Sequence, residues 1–381
     1  MEEINYPRFD FDSELSRAVI NLERARAELD FGSTPPIVFF QLKELFELLT
    51  SIMSARIEGN RTSLLDAVAG AMEGRNPQST PSEGVEEILK IQKAMAFVEE
   101  HASDGPLTHL FIRELHRMVV DGLRREGDRT PGAYRLGEVT IGQAEHRPPF
   151  PSDVLTDMTK LLDFANEEVE PHKQLLQSAI VHHRFLWIHP FGNGNGRVAR
   201  LLTYAMLIRQ GFISTTSYRA VNPTAVFGAD RTGYYDNLAR ADRLDNDGLI
   251  AWCTYVLNGL NTDLERLRSL RDNAFVTNEL LRPAIDRLHD AGRIAKRERN
   301  ALRIVADKST VRAGDLESAF PGAPANRSHA IRRLLDRGLL TYADGPRSYR
   351  LVFAPSDLTV HLIYQLDRVG FLPTILRDNV T

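Results

Sequence analysis

Apolar residues recur at helical spacing along most of this chain. Between residues 12 and 30 they fall at intervals of three and four, the spacing of one buried helix face, at Leu15, Ala18, Val19, Leu22, Ala25 and Leu29. The same pattern, broken by Gly, Pro, Asn and Ser, predicts helices over 37–55, 62–74, 83–102, 106–124, 152–167, 174–187, 195–211, 231–242 and 246–272. The expected fold class is therefore mainly α.

Two segments depart from this pattern. In 132–151, Val139 and Ile141 alternate with polar residues among several Gly and Pro, which predicts a short β-hairpin or flap. In 297–353 the order is helix, short helix, Pro/Gly break, helix and two β-like runs around the turn dipeptide Asp344-Gly345. That order is typical of a winged helix-turn-helix.

These patterns divide the chain into three expected domains. They are an N-terminal helical region at 1–105, a helical core with the β flap at 106–275, and a winged helix-turn-helix at 285–381.

Composition bounds the class of protein. The 381 residues are 43% hydrophobic and 26% charged, which is enough apolar material for a sizeable core, and the net charge of −4 argues against a surface that binds nucleic acid or membrane as a whole. The single cysteine, Cys253, excludes an intramolecular disulfide, and its apolar surroundings predict a core position. No secretory leader is visible, and no apolar run approaches the ~20 residues that cross a bilayer, so we expect a cytoplasmic protein without a membrane segment.

The candidate chemistry lies at 188–200, where a Gly- and Asn-rich loop opens directly into a helical run. Glycines let several N–H groups point to one place, and a helix N-terminus adds partial positive charge, a combination suited to phosphate. Arg197 and Arg200 fall on one face of the first turns, and guanidinium groups hold phosphate oxygens bidentately. Only His189 titrates near neutral pH in this segment, so it is the candidate base. The alternative is a surface turn with solvated arginines, but the coincidence of these features favours a functional site.

The residues IHPFGNGNGRVAR at 188–200 resemble the core motif of the Fic family, HPF-x-(D/E)-GNGR-xx-R. The resemblance implies a helical Fic core and an enzyme, a protein adenylyltransferase that moves AMP from ATP to a Ser, Thr or Tyr hydroxyl of a protein, with its own chain as one candidate target. It implies that His189 is the general base and that Phe191 anchors the loop. The nucleotide-binding residues that it implies are Gly192, Asn193, Gly194, Asn195, Gly196, Arg197, Arg200, Tyr234 and Tyr235. For the two tyrosines, packing in the core is the alternative.

Asn193 stands where the family motif has the acidic residue that helps to hold Mg²⁺. An amide oxygen is a poorer ligand for a hard dication than a carboxylate, so we expect Asn193 to be a weak ligand and Mg²⁺ to be held mainly by the phosphates of ATP. Asn193 leaves three consequences open, which are weaker dependence on the metal ion, a different nucleotide donor and a lower rate. Two other functions also stay open. One is a winged-helix DNA-binding regulator whose weakly active Fic core senses a nucleotide, and the other is transfer of another phosphate-linked group.

Two further segments resemble Fic elements. The stretch 132–149 resembles the flap, which implies that a target segment adds as a strand along Val139, Thr140, Ile141 and Gly142. An N-terminal stretch resembles the inhibitory motif (S/T)-xxx-E-(G/N) at Ser54, Glu58 and Gly59. This second resemblance implies that Glu58 pairs with Arg197, excludes the γ-phosphate and inhibits the enzyme. In some relatives such a Glu also supports removal of AMP.

Several other residues are better explained by packing or left with two interpretations. His182 and His183 point in different directions on one helix and predict no metal site, and Trp187 and Trp252 fall in apolar helices. In the winged helix, 326–350 holds two Asp and six Arg, at Arg327, Arg332, Arg333, Arg337, Arg347 and Arg350. This excess of positive charge is compatible with DNA binding, with docking or dimerisation as the alternative. A homodimer is the assembly that the Fic resemblance makes a candidate.

Overall fold

The computed structural model describes residues 3–29, 32–73, 81–142, 144–214, 217, 222–343 and 345–377. Helices dominate these residues, as the apolar spacing predicts. In chain order the α-helices are α1 (Glu14–Ala27), α2 (Pro36–Ile57), α3 (Leu64–Glu73), α4 (Glu83–His101), α5 (His109–Val120), α6 (Val154–Asn166), α7 (Pro171–Ile188), α8 (Asn195–Arg209), α9 (Pro223–Ala229), α10 (Arg231–Ala241), α11 (Asn246–Leu270), α12 (Asn273–Phe275), α13 (Arg282–Asp290), α14 (Lys296–Lys308), α15 (Pro324–Asp336), α16 (Thr359–Arg368) and α17 (Thr374–Arg377). Helical segments of other types lie at Pro151–Asp153 and Ala313–Leu316 (3-10) and at Val276–Leu281 (π).

Side-chain caps fix several helix starts. The Thr108 hydroxyl accepts a hydrogen bond from the Phe111 N–H at 3.2 Å at the start of α5. Ser82 caps α4 in the same way. Each cap satisfies a backbone N–H that the first helical turn leaves without an intrahelical partner, and this anchors the helix at that residue.

The described residues fall into two compact units. The first comprises those within Met1–Asp30, Thr50–Thr62 and Ser82–Glu265, and the second those within Phe31–Leu49, Ser63–Pro81 and Arg266–Thr381.

In the first unit, α7 and α8 pack side by side at the centre, with α6 and α1 against α7 and with α4 and α5 against α8. Their facing residues form an apolar core, and the Trp252 indole, fully buried, donates to the Ala179 carbonyl at 2.7 Å. Cys253 beside it is also fully buried, as its sequence context predicts. Trp187 is only partly buried.

In the second unit, a three-stranded antiparallel sheet packs with α14 and α15. Its strands are β1 (Val311–Arg312), β2 (Leu340–Ala343) and β3 (Gly345–Leu351), in the order β1-β3-β2. The register pairs Val311 with Tyr349 and Leu340 with Leu351. The two predicted β-like runs are therefore strands; Asp344 of the predicted turn lies outside the described residues.

The flap segment, by contrast, contains no strand in its described residues, 132–142 and 144–151. The β-hairpin predicted there is wrong. A physical reason is that two flap carbonyls, of Gly137 and Pro149, accept hydrogen bonds from the Arg135 side chain instead of from a partner strand. Throughout the described part of the chain, no helix combines the length and the apolar character that a membrane crossing requires.

Candidate active site

His189 caps the C-terminus of α7 and begins the Gly-rich loop. Its backbone is left-handed, at φ 50° and ψ 60°. The Nδ1 atom lies 3.3 Å from the Leu186 carbonyl, which can only accept a hydrogen bond, so Nδ1 carries the proton and Nε2 presents a lone pair. Burial lowers the pKa of His189 to about 4, so the imidazole is neutral at pH 7 and can take up a proton.

The loop after His189 is held in shape by buried side chains. Phe191 is fully buried, and its ring stacks on that of His116 with 3.7 Å between centroids. Asn195 accepts from the Phe191 N–H and donates to the Phe191 carbonyl, both at 3.0 Å. The Asn195 amide therefore braces the loop, and both of its polar atoms are engaged within it.

The N-terminus of α8 forms an anion-binding cradle. Gly194 is its N-cap at φ 78°, in the left-handed region that favours glycine. In the described part of the chain, the N–H groups of Asn195, Gly196 and Arg197 donate to no protein acceptor, as expected for the first turn of a helix. Three free N–H groups and the helix dipole make this end electropositive.

The Glu58 carboxylate lies against the first turn of α8, beside that cradle. It is so close to Gly196 that a Cβ at position 196 would collide with Glu58 Oε1. The same oxygen accepts a hydrogen bond from Arg200 Nη2 at 2.8 Å. Burial opposes ionisation of Glu58, but Arg200 and, at longer range, Arg197 hold its pKa below the ordinary value, so a carboxylate anion lies beside the cradle.

The predicted pairing of Glu58 with Arg197 is wrong, because Arg197 is engaged elsewhere. Its guanidinium donates to the carbonyls of Val119 at 3.1 Å and Glu126 at 2.7 Å. It also lies 3.2 Å from the Glu87 carboxylate, and neither side chain of this pair is more than 2% exposed. Arg197 therefore ties α8 to α4 and α5, and the arginine that faces the cradle anion is Arg200.

The other two residues of the inhibitory pattern support this pairing. Ser54 accepts from Arg200 Nε through its hydroxyl and from Arg200 Nη2 through its carbonyl, each at 2.9 Å. Gly59 has φ 102°, which lets the chain turn immediately after Glu58 at the end of α2. Arg231 donates to the Ile57 carbonyl at 3.0 Å and so holds the end of α2.

Asn193 does not present its amide oxygen to a metal ion. That oxygen accepts from the Gly194 N–H at 2.7 Å, and the amide nitrogen donates to the Gly127 carbonyl at 3.1 Å. Nor do the described residues contain a cluster of three acidic, His or Cys side chains with ligand geometry. The donor set therefore does not fit a Mg²⁺ ion held by the protein, and the weak ligand role predicted for Asn193 finds no support in this geometry.

Two residues that the sequence did not single out hold the Asn193 backbone. Asp128 accepts from the Asn193 N–H at 2.9 Å, and His116 Nε2 donates to the Asn193 carbonyl at 3.1 Å. His116 Nδ1 accepts from the Gly132 N–H at 2.9 Å, which fixes the neutral tautomer. Burial lowers the pKa of His116 to about 4 despite the nearby Asp128.

The two tyrosines have different environments. Tyr234 is 1% exposed, and its hydroxyl donates to His182 Nε2 at 2.9 Å. Tyr234 is thus a core residue with no face open to a nucleotide, and His182 is its hydrogen-bond partner. Tyr235 is 42% exposed and lies 5.4 Å from the Arg231 guanidinium, so of the pair it alone can border a ligand.

The flap offers free backbone groups. Val139 and Ile141 are partly exposed and Thr140 and Gly142 are exposed. In the described part of the flap, the Ile141 carbonyl accepts from the Ala144 N–H, but the N–H groups of Val139, Thr140 and Ile141 donate to no partner. This segment is an edge to which an extended peptide can add.

A buried neutral histidine, a helix N-terminus with free N–H groups and a buried arginine thus form one site on a helical domain. Residues 106–207, which include these three groups, match the model of the Fic/DOC family. This segment is therefore similar to Fic/DOC domains.

Proteins with similar sequences bear the name of one activity. A protein adenylyltransferase Fic of Nematostella vectensis is 30% identical over 198 residues, which cover 50% of this chain and 42% of that protein. The protein adenylyltransferase Fic of Drosophila melanogaster is 31% identical over 201 residues, covering 50% of this chain and 37% of the relative. The chain thus spans about two-fifths of the length of these relatives.

Solved structures with the same fold cover more of the chain. A Fic family protein from Desulfovibrio desulfuricans G20 aligns over 91% of this chain and 98% of its own, with a TM-score of 0.56 and 19% identity. Fic-1 of C. elegans aligns over 66% of this chain and 71% of its own, with a TM-score of 0.53 and 22% identity. At this level of identity the likeness establishes the fold.

Proposed function

We propose that this protein is an adenylyltransferase that moves AMP from ATP to a hydroxyl group of a protein, and that Glu58 holds it in an inhibited state. The observation that carries the proposal is the Glu58 carboxylate, an anion that lies against Gly196 in the first turn of α8 and pairs with Arg200. A buried arginine that binds a carboxylate beside a helix N-terminus with free N–H groups suits a phosphate, which is also an anion. The names of the curated relatives support the choice of AMP as the transferred group.

In the proposed reaction, a Ser, Thr or Tyr hydroxyl of the target gives its proton to His189 Nε2 while its oxygen attacks the α-phosphorus of ATP. The bond from the α-phosphorus to the bridging oxygen breaks, and pyrophosphate leaves with that oxygen. The neutral state of His189 at pH 7 suits it to accept the proton. The N–H groups at the start of α8 would stabilise the charge that develops on the phosphoryl oxygens. Mg²⁺ remains a prediction, and it would enter the site bound to the phosphates of ATP.

Arg200 is the residue that Glu58 would release. Its guanidinium is 2% exposed in the pair and retains two hydrogen bonds to Ser54. When the Glu58 carboxylate leaves, Arg200 loses its counter-charge beside the cradle, and the outer phosphates of ATP can replace it. Tyr235 is the partly exposed aromatic residue that would border the nucleotide.

The target segment would bind along the flap. The unpartnered N–H groups of Val139, Thr140 and Ile141 support strand addition there, because an extended peptide supplies the carbonyls that they lack. Strand addition recognises the target mainly through its backbone and less through its side chains. It is therefore compatible with self-modification, in which an exposed segment of a second copy of this chain binds along the flap.

The test is incubation of the purified full chain with labelled ATP and Mg²⁺, followed by intact mass measurement. We expect Glu58→Gly to gain the mass of AMP faster than the native protein and His189→Ala to gain none. A mass gain of another group would replace AMP as the transferred unit. Nucleotide binding without any mass gain in Glu58→Gly would refute self-modification, and the absence of label on any protein of an added cell lysate as well would refute the transferase proposal. Return of the modified protein to its original mass in the native chain, and not in Glu58→Gly, would support AMP removal by the same site.

A second activity, DNA binding, is proposed for the 285–381 region. The order helix, strand, 3-10 turn, helix and two strands, with the sheet order β1-β3-β2, supports a winged helix. Arg332, Arg333 and Arg347 are exposed, whereas Arg327 pairs with Glu317 at 3.0 Å and is therefore less available to a phosphate. A salt-dependent shift of duplex DNA would support this activity, and no binding at low salt would remove it.

Two properties of the whole molecule stay predictions. A homodimer would appear as twice the chain mass in light scattering of the purified protein. A cytoplasmic location rests on the sequence alone and is tested by fractionation of expressing cells.

A further inference from the structure

Arg135 is a buried arginine whose hydrogen bonds all go to backbone carbonyls. It is 6% exposed. Its Nε donates to the His189 carbonyl at 2.8 Å, and Nη2 lies 3.4 Å from the Ile188 carbonyl. Its own backbone N–H donates to the Pro190 carbonyl at 2.9 Å. One residue therefore binds three consecutive carbonyls around the candidate base.

The same guanidinium also holds both ends of the flap. Nη1 donates to the Gly137 carbonyl at 3.0 Å and Nη2 to the Pro149 carbonyl at 2.6 Å. The planar, five-donor fork of arginine reaches these separate carbonyls at once, which the compact ammonium of lysine cannot do. Arg135 thus attaches the flap, which has no strand ladder in its described residues, to the loop of His189, and His146 Nε2 adds a hydrogen bond to the Trp187 carbonyl at 2.8 Å.

The backbone at His189 needs such support. A non-glycine residue at φ 50° is costly, on the order of 1 kcal/mol, and persists only where surrounding contacts hold it. The carbonyl of that residue is the acceptor of the Arg135 Nε bond. A positive charge at the C-terminus of α7 is also favourable, since the last carbonyls of a helix carry partial negative charge.

The phosphate cradle, by contrast, does not depend on Arg135. Its conformation is held by the Asn195 side chain and by the bonds that Asp128 and His116 make to Asn193. The site therefore has two parts that are held by different residues. Asn195, Asp128 and His116 hold the cradle, and Arg135 holds His189 and the flap.

We propose that Arg135 is a positioning residue that fixes the flap relative to His189, so that a hydroxyl on a peptide bound along the flap meets the base and the α-phosphorus of ATP. This inference rests on the proposed transferase function. It adds a role for Arg135, which is to align the acceptor hydroxyl of the target. It assigns Arg135 no part in ATP binding.

The variants Arg135→Lys and Arg135→Gln, made in the full chain with Glu58→Gly, test the assignment. Arg129→Lys is the matched control, because Arg129 is exposed and lies just before the flap. ATP binding is measured by calorimetry and AMP incorporation into the chain by initial rate with labelled ATP. We expect both Arg135 variants to bind ATP within about twofold of the parent and to lose incorporation by about 100-fold, the loss expected when reacting groups are displaced by about 1 Å. Arg129→Lys should match the parent in both.

A readout without chemistry separates this inference from the proposed function. Burial and then the charge of Arg135 lower the pKa of His189 to about 4. The His189 ring signal in proton NMR, assigned with His189→Gln, should therefore titrate at higher pH in Arg135→Gln than in the Arg129→Lys control.

The outcomes decide between the ideas. If the parent transfers no AMP, the transferase proposal fails, and an unchanged His189 titration in Arg135→Gln would then refute the positioning role as well. If the parent is active, incorporation at the parental rate in Arg135→Lys and Arg135→Gln refutes the inference. A loss of ATP binding as large as the loss of incorporation would also refute it, because a merely structural residue would impair both.

Discussion

Removal of the Glu58 carboxylate is the perturbation with the most direct consequence for activity. The Glu58 to Arg200 hydrogen bond is 2.8 Å long, its arginine is 2% exposed and its glutamate 27% exposed. A hydrogen bond between charged groups in such surroundings contributes about 1.5–3 kcal/mol. If that energy opposes productive ATP binding, its loss raises the transfer rate by about 10- to 100-fold. The same loss should lower the melting temperature by a few degrees.

The assay is the initial rate of AMP incorporation at subsaturating ATP for the native chain, Glu58→Gly and Glu58→Gln. The glutamine variant keeps the shape of the side chain and a neutral hydrogen bond, so we expect it to fall between the other two. Glu86→Gln is the matched control, because Glu86 forms a partly exposed ion pair with Lys90 at 3.4 Å on the same helix and lies outside the candidate site. The reasoning is refuted if Glu58→Gly binds ATP and shows no gain in rate, or if Glu86→Gln gains as much.

Three further predictions concern the supports of the site. Asn193→Asp introduces the acidic residue of the Fic motif but loses the donor to the Gly127 carbonyl. We therefore expect a loss of about 1–3 kcal/mol in unfolding free energy and no gain in the rate of AMP incorporation. A more stable or faster variant would contradict this. Because burial lowers the pKa of His116 to about 4, the unfolded chain binds more protons at this group between about pH 6.5 and 4, and stability should fall as the pH falls through that window, by up to about 3 kcal/mol. Denaturant titrations at several pH values measure this slope, which should be shallower in His116→Asn. Tyr235→Ala should weaken ATP binding with little change in melting temperature, whereas Tyr234→Phe should lower the melting temperature and leave ATP affinity unchanged; the reverse pattern would exchange the two assignments.

Much of the fold followed from local patterns in the sequence. The start of α8 at Asn195 was predicted because the glycines and asparagines before it have no helical periodicity and the residues after it do. Helices α9, α13 and α16 were not predicted. In α13, Pro283 occupies the first turn after the π segment, where a missing N–H costs little. The prediction of a hairpin in the flap is wrong because the alternation of apolar and polar residues does not reveal that the Arg135 side chain binds the flap carbonyls.

The site was predictable only as far as its chemistry is local. The His189 loop and the first turn of α8 form one continuous motif, and the sequence identified it. The choice of Arg200 over Arg197 as the partner of Glu58 depends on tertiary packing, because residues three apart differ by about 60° around the helix axis and only one of them faces α2. Arg135 and His116 escaped attention for a similar reason, since each is a single polar residue whose partners are distant in the chain.

The two arginines of the motif have different partners, and this difference bears on the proposed inhibition by Glu58. Arg197 is bound to two carbonyls and to a buried carboxylate, so its position does not depend on what occupies the cradle. Arg200 is bound to an anion that belongs to the chain, and the proposed function exchanges it for one that belongs to ATP. A difference of about 1.5–3 kcal/mol in favour of Glu58 would leave roughly 1–10% of molecules with an open cradle, and the apparent affinity for productive ATP would fall by the same factor. Because Arg231 holds the Ile57 carbonyl at the end of α2, loss of that hydrogen bond would weaken the attachment of Glu58. Under the proposed inhibition, relief would need only a shift in that small equilibrium, either at the Glu58 to Arg200 pair or through this support outside the motif.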